Sequence, residues 1–132
     1  MKTPFVCLLL GLLSAVELSA SLDFYQKHVI ENIQPDECTT VMQTRHIKGL
    51  FGGCKKVNTF LLGAHQKVQD ICAGISGQKI VNFNVVVCKH DGSSLHPNCI
   101  YAGQTLGLEI VVIRCKDGVP VHLDKTVVFN NE

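Results

Sequence analysis

The stretch CKKVNTF, residues 54–60, sets a cysteine directly before two lysines and follows them with Val57, Asn58, Thr59 and Phe60. Two readings fit it. One is a solvated loop. The other is a cation pinned beside a cross-link and followed by a hydrogen-bonding strand, which is the equipment of a phosphate-and-base site.

Working outward, the chain has 132 residues, room for one domain. Lys2 precedes the apolar run PFVCLLLGLLSAV, and small residues follow at Ser19, Ala20 and Ser21. This predicts a signal peptide over 1–21, cleaved after Ala20 or Ser21. The run is too short for a membrane span and no second one follows. The expected product is a secreted, extracellular, monomeric domain over 22–132 with no stable membrane insertion.

The cysteines agree with that compartment. Of seven, Cys7 falls in the signal segment and leaves Cys38, Cys54, Cys72, Cys88, Cys99 and Cys115. An even number suits a disulfide framework, and the residues alone leave about 15 pairings open. No two are spaced as CxxC, which weakens a zinc or redox reading. The net charge is +1, and loss of Lys2 with Glu17 leaves it unchanged. Such a balance argues against a cationic membrane-disrupting peptide and predicts only moderate non-specific affinity for nucleic acid. There is no N-x-S/T sequon.

Residues 23–33, DFYQKHVIENI, predict a helix, with Phe24 and His28 at helical spacing. Pro35 and the following acids open a second over roughly 36–46, with Cys38, Val41 and Met42 inward. Residues 56–61 predict a short strand, and 62–74 a third helix ending at Gly74. KIVNFNVVVC, IYAGQTLGLEIVVIRC and VPVHLDKTVVF are rich in β-branched residues and divided by Asp91-Gly92 and Asp117-Gly118. The expected class is α+β: three helices packed on a bent antiparallel sheet.

Three residues suit acid–base chemistry on a phosphate. Two imidazoles, His28 and His122, can act as general base and general acid, because an unperturbed pKa of ~6.5 lets one be neutral and the other charged. A fixed Lys55 can stabilise negative charge at phosphorus. Asp124 lies two residues past His122 and on the same strand face, where it can set the imidazole tautomer. Each has a plain alternative: a solvent-facing or partly buried helix histidine, an edge-strand residue, a loop cation, a strand end. Nothing local in the chain links position 28 to position 122.

CKKVNTF resembles the signature of the vertebrate secreted ribonucleases, the pancreatic ribonuclease A and angiogenin superfamily, which runs Cys-Lys, two variable residues, then Asn-Thr-Phe. FYQKH resembles that family's first-helix segment ending in a catalytic histidine, VPVHLD its C-terminal strand carrying the second, and HPNC a further landmark. The resemblance covers about residues 22–129. It implies an endoribonuclease that needs no cofactor or metal and cleaves single-stranded RNA after pyrimidines through a 2′,3′-cyclic phosphate. His28 is then the base, His122 the acid and Lys55 the charge stabiliser. Thr59 reads the base edge, Asn58 holds the site and Asp124 orients His122. Lys27 and Leu123 join Asn58, Thr59 and Asp124 as substrate-binding positions. The implied disulfides are Cys38–Cys88, Cys54–Cys99 and Cys72–Cys115, and a cis peptide is implied at His96-Pro97.

The chain departs from the pancreatic pattern in ways that resemble angiogenins and non-mammalian ribonucleases. Lys27 stands where Gln is usual and Leu123 where Phe is common. Six cysteines replace eight, and the Cys72–Cys88 segment is short. In angiogenins a C-terminal residue obstructs the base site, and Lys125 and Thr126 lie near that position. RHIKGL, 45–50, falls where angiogenins carry a basic cluster but is read as a solvated helix end. His46, His65, His90 and His96 are read as surface residues. The resemblance also implies a ribonuclease inhibitor or cell-surface receptor as partner, and host-defence or angiogenic activity. The alternative function is signalling or antimicrobial action mainly by binding, with weak ribonuclease activity.

Overall fold

A computed structural model of the chain describes residues 14–126. The apolar run of the expected signal peptide falls mostly outside them. Within them, helix α1 (Ala15–His28) runs through positions 19–21 without a break. Ser14 caps it: its hydroxyl accepts from the Glu17 amide while the Glu17 carboxylate accepts from the Ser14 amide, a reciprocal capping box. Glu17 also pairs with Lys116 at 3.5 Å.

The helix expected over 23–33 therefore starts earlier and stops at His28. Val29 and Ile30 form β1, parallel to β2 (Val57–Leu62) with Val29 opposite Leu61. The β-branched pair is better accommodated in a strand than in a further helical turn. The carbonyls at this end have another partner. Arg45 Nη1 donates to Val29 O at 2.8 Å, Gln26 O at 3.1 Å and Tyr25 O at 3.3 Å. Arg45 caps the helix over 38–44 but is half-buried rather than solvated, its guanidinium turned to the end of α1.

The second expected helix divides into a 3-10 turn (Pro35–Glu37) and α2 (Cys38–Thr44), and the third shortens to α3 (His65–Cys72), with Leu62 staying in β2. β3 (Gly77–His90), β4 (Tyr101–Lys116) and β5 (Val119–Thr126) complete a sheet of order β1-β2-β3-β4-β5. All pairs but β1-β2 are antiparallel, so the sheet is mixed rather than purely antiparallel. Asp117 and Gly118, both with positive φ, make the β4–β5 hairpin turn expected of an Asp-Gly pair.

Both faces of the sheet are covered. Phe24, Leu61, Val68, Phe83, Val85, Val87, Ile113 and Leu123 form one core with α1 and α3. Phe60, Val86 and Cys88 face the other way against Ile33, Cys38, Met42 and Tyr101. That explains the unbroken apolar run 85–88, since alternation is lost when neither face meets water. The three disulfides join Cys38–Cys88, Cys54–Cys99 and Cys72–Cys115 as expected. The His96-Pro97 peptide is cis. Gly103 lies where β4 passes the 3-10 turn: a Cβ there would sit 2.7 Å from the Cys38 sulfur and collide with the Pro35 carbonyl oxygen.

Candidate active site

His28 is the last residue of α1, and its side chain is 2% exposed. Its Nδ1 lies 2.9 Å from the Thr59 carbonyl oxygen. A carbonyl only accepts, so Nδ1 carries the proton and the lone pair is left on Nε2. Burial pushes the His28 pKa down, to about 3. The positive charges of Lys55, Lys27 and His122 act the same way, against the opposing Thr59 hydrogen bond.

Lys55 lies between two anchors. Cys54 is tied to Cys99, and the Tyr101 hydroxyl donates to the Lys55 carbonyl at 2.6 Å. The Lys55 ammonium donates to Asn58 Oδ1 at 2.7 Å, and Asn58 Nδ2 donates to the Lys27 carbonyl at 2.8 Å. Asn58 is fully buried and so couples the lysine to the end of α1. The opening stretch is therefore a short loop holding a pinned Lys55, followed by a strand from Val57. Thr59 is also fully buried, and its hydroxyl has no hydrogen-bond partner among the described residues. Buried polar atoms without partners are uncommon.

His122 and Asp124 sit on β5, the first half-exposed and the second largely covered. The ladder to β4 shifts twice here: Cys115 pairs with Pro120, Arg114 with His122, Ile113 with Leu123 and Val112 with Lys125. Val121 and Asp124 are the residues passed over, and such bulges redirect side chains. Asp124 Oδ1 lies 3.7 Å from His122 Nε2, an ion-pair distance longer than a hydrogen bond. Burial alone would raise the Asp124 carboxyl. Hydrogen bonds from Gln78 and Arg114, with the charges of Arg114 and His122, outweigh it and hold the pKa below the usual value.

The remaining expected positions divide. Lys27 Nζ pairs with Asp23 at 3.0 Å on the helix surface. Leu123 is fully buried with Phe24 and Ile113, so it supports β5 from the core and offers no surface to a ligand. The side chains of Lys125 and Thr126 lie outside those described. His46, His65 and His96 are exposed, but His90 is half-buried, 2.9 Å from the Ser94 hydroxyl. Arg45, Tyr101, Arg114 and Gln78 escaped the sequence reading. Each reaches a partner distant in the chain, and only Arg114, next to Cys115, and Tyr101, two residues past Cys99, lie near a cross-link in sequence.

The model of the family described as pancreatic ribonuclease matches residues 19–124. The chain belongs to that family. Ribonuclease-family relatives include angiogenin of Sus scrofa, 32% identical over 102 residues covering 72% of this chain and 67% of the relative. Angiogenin of Saimiri sciureus is 32% identical over 114 residues, covering 80% and 75%. Among solved ribonuclease structures, zebrafish RNase5 is similar with a TM-score of 0.75 at 26% identity, covering 86% of this chain and 98% of its own. RNASE ZF-3E gives 0.73 at 28% identity, covering 83% and 98%. On this membership the chain is read as an RNA-cleaving enzyme of the angiogenin-like branch.

Proposed function

We propose that the chain is a secreted endoribonuclease that cleaves single-stranded RNA on the 3′ side of pyrimidines. His28 Nε2 takes the proton of the ribose 2′-hydroxyl, and the 2′-oxygen attacks phosphorus. His122 gives its proton to the departing 5′-oxygen. The products are a 2′,3′-cyclic phosphate and a 5′-hydroxyl. Water then opens the ring with the histidines exchanging roles. Lys55 stabilises the negative charge on the phosphoryl oxygens. Requirement for the 2′-hydroxyl excludes DNA.

The observation that carries this reading is the His28–Thr59 contact, which leaves the basic nitrogen of a buried, neutral imidazole available. The partnerless Thr59 hydroxyl supports base recognition, since a pyrimidine edge can supply its missing partner. Secretion is supported by the three disulfides and the apolar N-terminal run. The angiogenin names of the relatives favour a second reading, a signalling or defence factor acting through binding.

The test is cleavage of a short RNA containing one uridine, from pH 5 to 8, beside His28→Ala. A cyclic-phosphate product, absent in the variant, is expected, with no acid limb inside this range because the pKa of the base lies well below it. Cleavage by the oxidised protein no faster than by His28→Ala overturns the enzymatic reading. Retention of a cellular effect by His122→Ala assigns that effect to binding.

A further inference from the structure

One oxygen atom collects three donors beside His122. Asp124 Oδ2 accepts from Gln78 Nε2 at 2.6 Å, Arg114 Nη2 at 3.0 Å and Arg114 Nε at 3.2 Å. The other oxygen, Oδ1, is the one that faces His122 Nε2. The arrangement is built into the sheet. Gln78 pairs with Arg114 across β3–β4, and Arg114 pairs with His122 across β4–β5, so the three form one row over three strands. Asp124, at the bulge, leans back into that row.

We propose that Arg114 and Gln78 are positioning residues that act on His122 through Asp124. This rests on the reading of His122 as the general acid. A half-exposed imidazole has rotamer freedom, and a carboxylate on an edge strand can swing into water. The two-pronged guanidinium and the amide remove the carboxylate's freedom by occupying Oδ2. Oδ1 is thereby presented to Nε2, and a small turn of the imidazole closes 3.7 Å to a hydrogen bond. With Nε2–H engaged, the Nδ1 proton is the one delivered to the 5′-oxygen. The Arg114 charge also offsets the carboxylate, so the imidazolium proton is oriented without being held too tightly to leave.

Proton donation matters only when the leaving group needs a proton. A ribose 5′-alkoxide does, whereas a 4-nitrophenolate does not. The experiment compares uridylyl-3′,5′-adenosine with uridine 3′-(4-nitrophenyl phosphate) for the wild type, Arg114→Met, Arg114→Lys, Gln78→Leu, Asp124→Asn and the Arg114→Met/Asp124→Asn double variant. Their urea unfolding is followed in parallel. Arg114→Met is expected to lower kcat on the dinucleotide about tenfold, a part of the ~10²–10⁴ that general acid catalysis supplies. KM should stay unchanged, and the aryl ester should be affected less than about twofold. Gln78→Leu behaves likewise but more weakly. Arg114→Lys recovers part of the loss, and the double variant is no slower than Asp124→Asn, because the arginine acts through that carboxylate.

Equal losses on both substrates, or a loss confined to KM, overturn the proposal: Arg114 would then bind phosphate directly or only hold the fold. A wild-type protein inactive on both substrates overturns the ribonuclease reading, and this proposal with it.

Discussion

His28 Nδ1 donates to the carbonyl oxygen of Thr59 at 2.9 Å, joining the end of helix α1 to the middle of β2 across a sequence separation of 31. Thr59 thus holds the imidazole through its carbonyl while its own buried hydroxyl has no partner among the described residues. In the proposed mechanism, recognition of a base edge and orientation of His28 share one backbone unit, so a displacement of β2 would disturb both.

The depressed pKa of His28 has a consequence for stability. The unfolded chain takes up a proton on this imidazole near pH ~6.5, while the native protein resists until about pH 3. The unfolded state therefore binds more protons between these values, and stability falls as pH falls, by up to ~1.4 kcal/mol per pH unit. His28→Asn, which keeps an N–H for the Thr59 carbonyl, should flatten that slope. Urea unfolding at pH 7, 5 and 4 measures the difference, and identical slopes would refute the assignment.

Thr59→Val should separate folding from recognition. The hydroxyl has no partner to lose, so the substitution leaves stability within about 0.5 kcal/mol or raises it. Cleavage after uridine and cytidine should fall at least ~10-fold in kcat/KM, about the worth of one hydrogen bond of 1.4 kcal/mol. A loss of stability above 2 kcal/mol with unchanged pyrimidine preference counts against a base-reading role.

Arg45→Met leaves three carbonyls at the end of α1 without their shared donor and removes a cation 5.8 Å from the Phe60 ring centre. The expected cost is about 2 kcal/mol, as for a hydrogen-bonded charged group. Lys restores the charge but not the fork. The measurement is urea unfolding of both variants beside the wild type, with the order wild type, Lys, Met.

Gly103→Ala forces a methyl group against the Pro35 carbonyl and the Cys38 sulfur. Backbone and a disulfide cannot move aside as a flexible side chain can. Overpacking of this kind costs roughly 1–3 kcal/mol. Gly107→Ala, where nothing lies within 4 Å, is the control and should change stability little.

Local chemistry made much of this legible beforehand. The Asp-Gly turn, the β-branched strands and the framework of six cysteines are short-range signals that survive folding unchanged. The boundary at His28 was not readable, because what ends α1 is a parallel strand partner at 61 and an arginine at 45. The same limit applied at the site. His28, Lys55 and His122 could be named as chemically suited, but only the motifs CKKVNTF and VPVHLD joined them. The row Gln78–Arg114–His122 depends on strand register, which no stretch of the chain encodes alone. Leu123 was misplaced because the residue next to His122 lies on the opposite face of the strand.

The capping box at Ser14 has a further meaning for maturation. The proposed cleavage after Ala20 or Ser21 would remove the cap, Glu17 and its tie to Lys116 together. What remains of α1 begins with an ordinary amino terminus and is secured at its far end, by Arg45 on the carbonyls, Asn58 on Lys27 and Thr59 on His28. Processing would thus loosen the end of the helix remote from His28 and leave untouched the end that carries it.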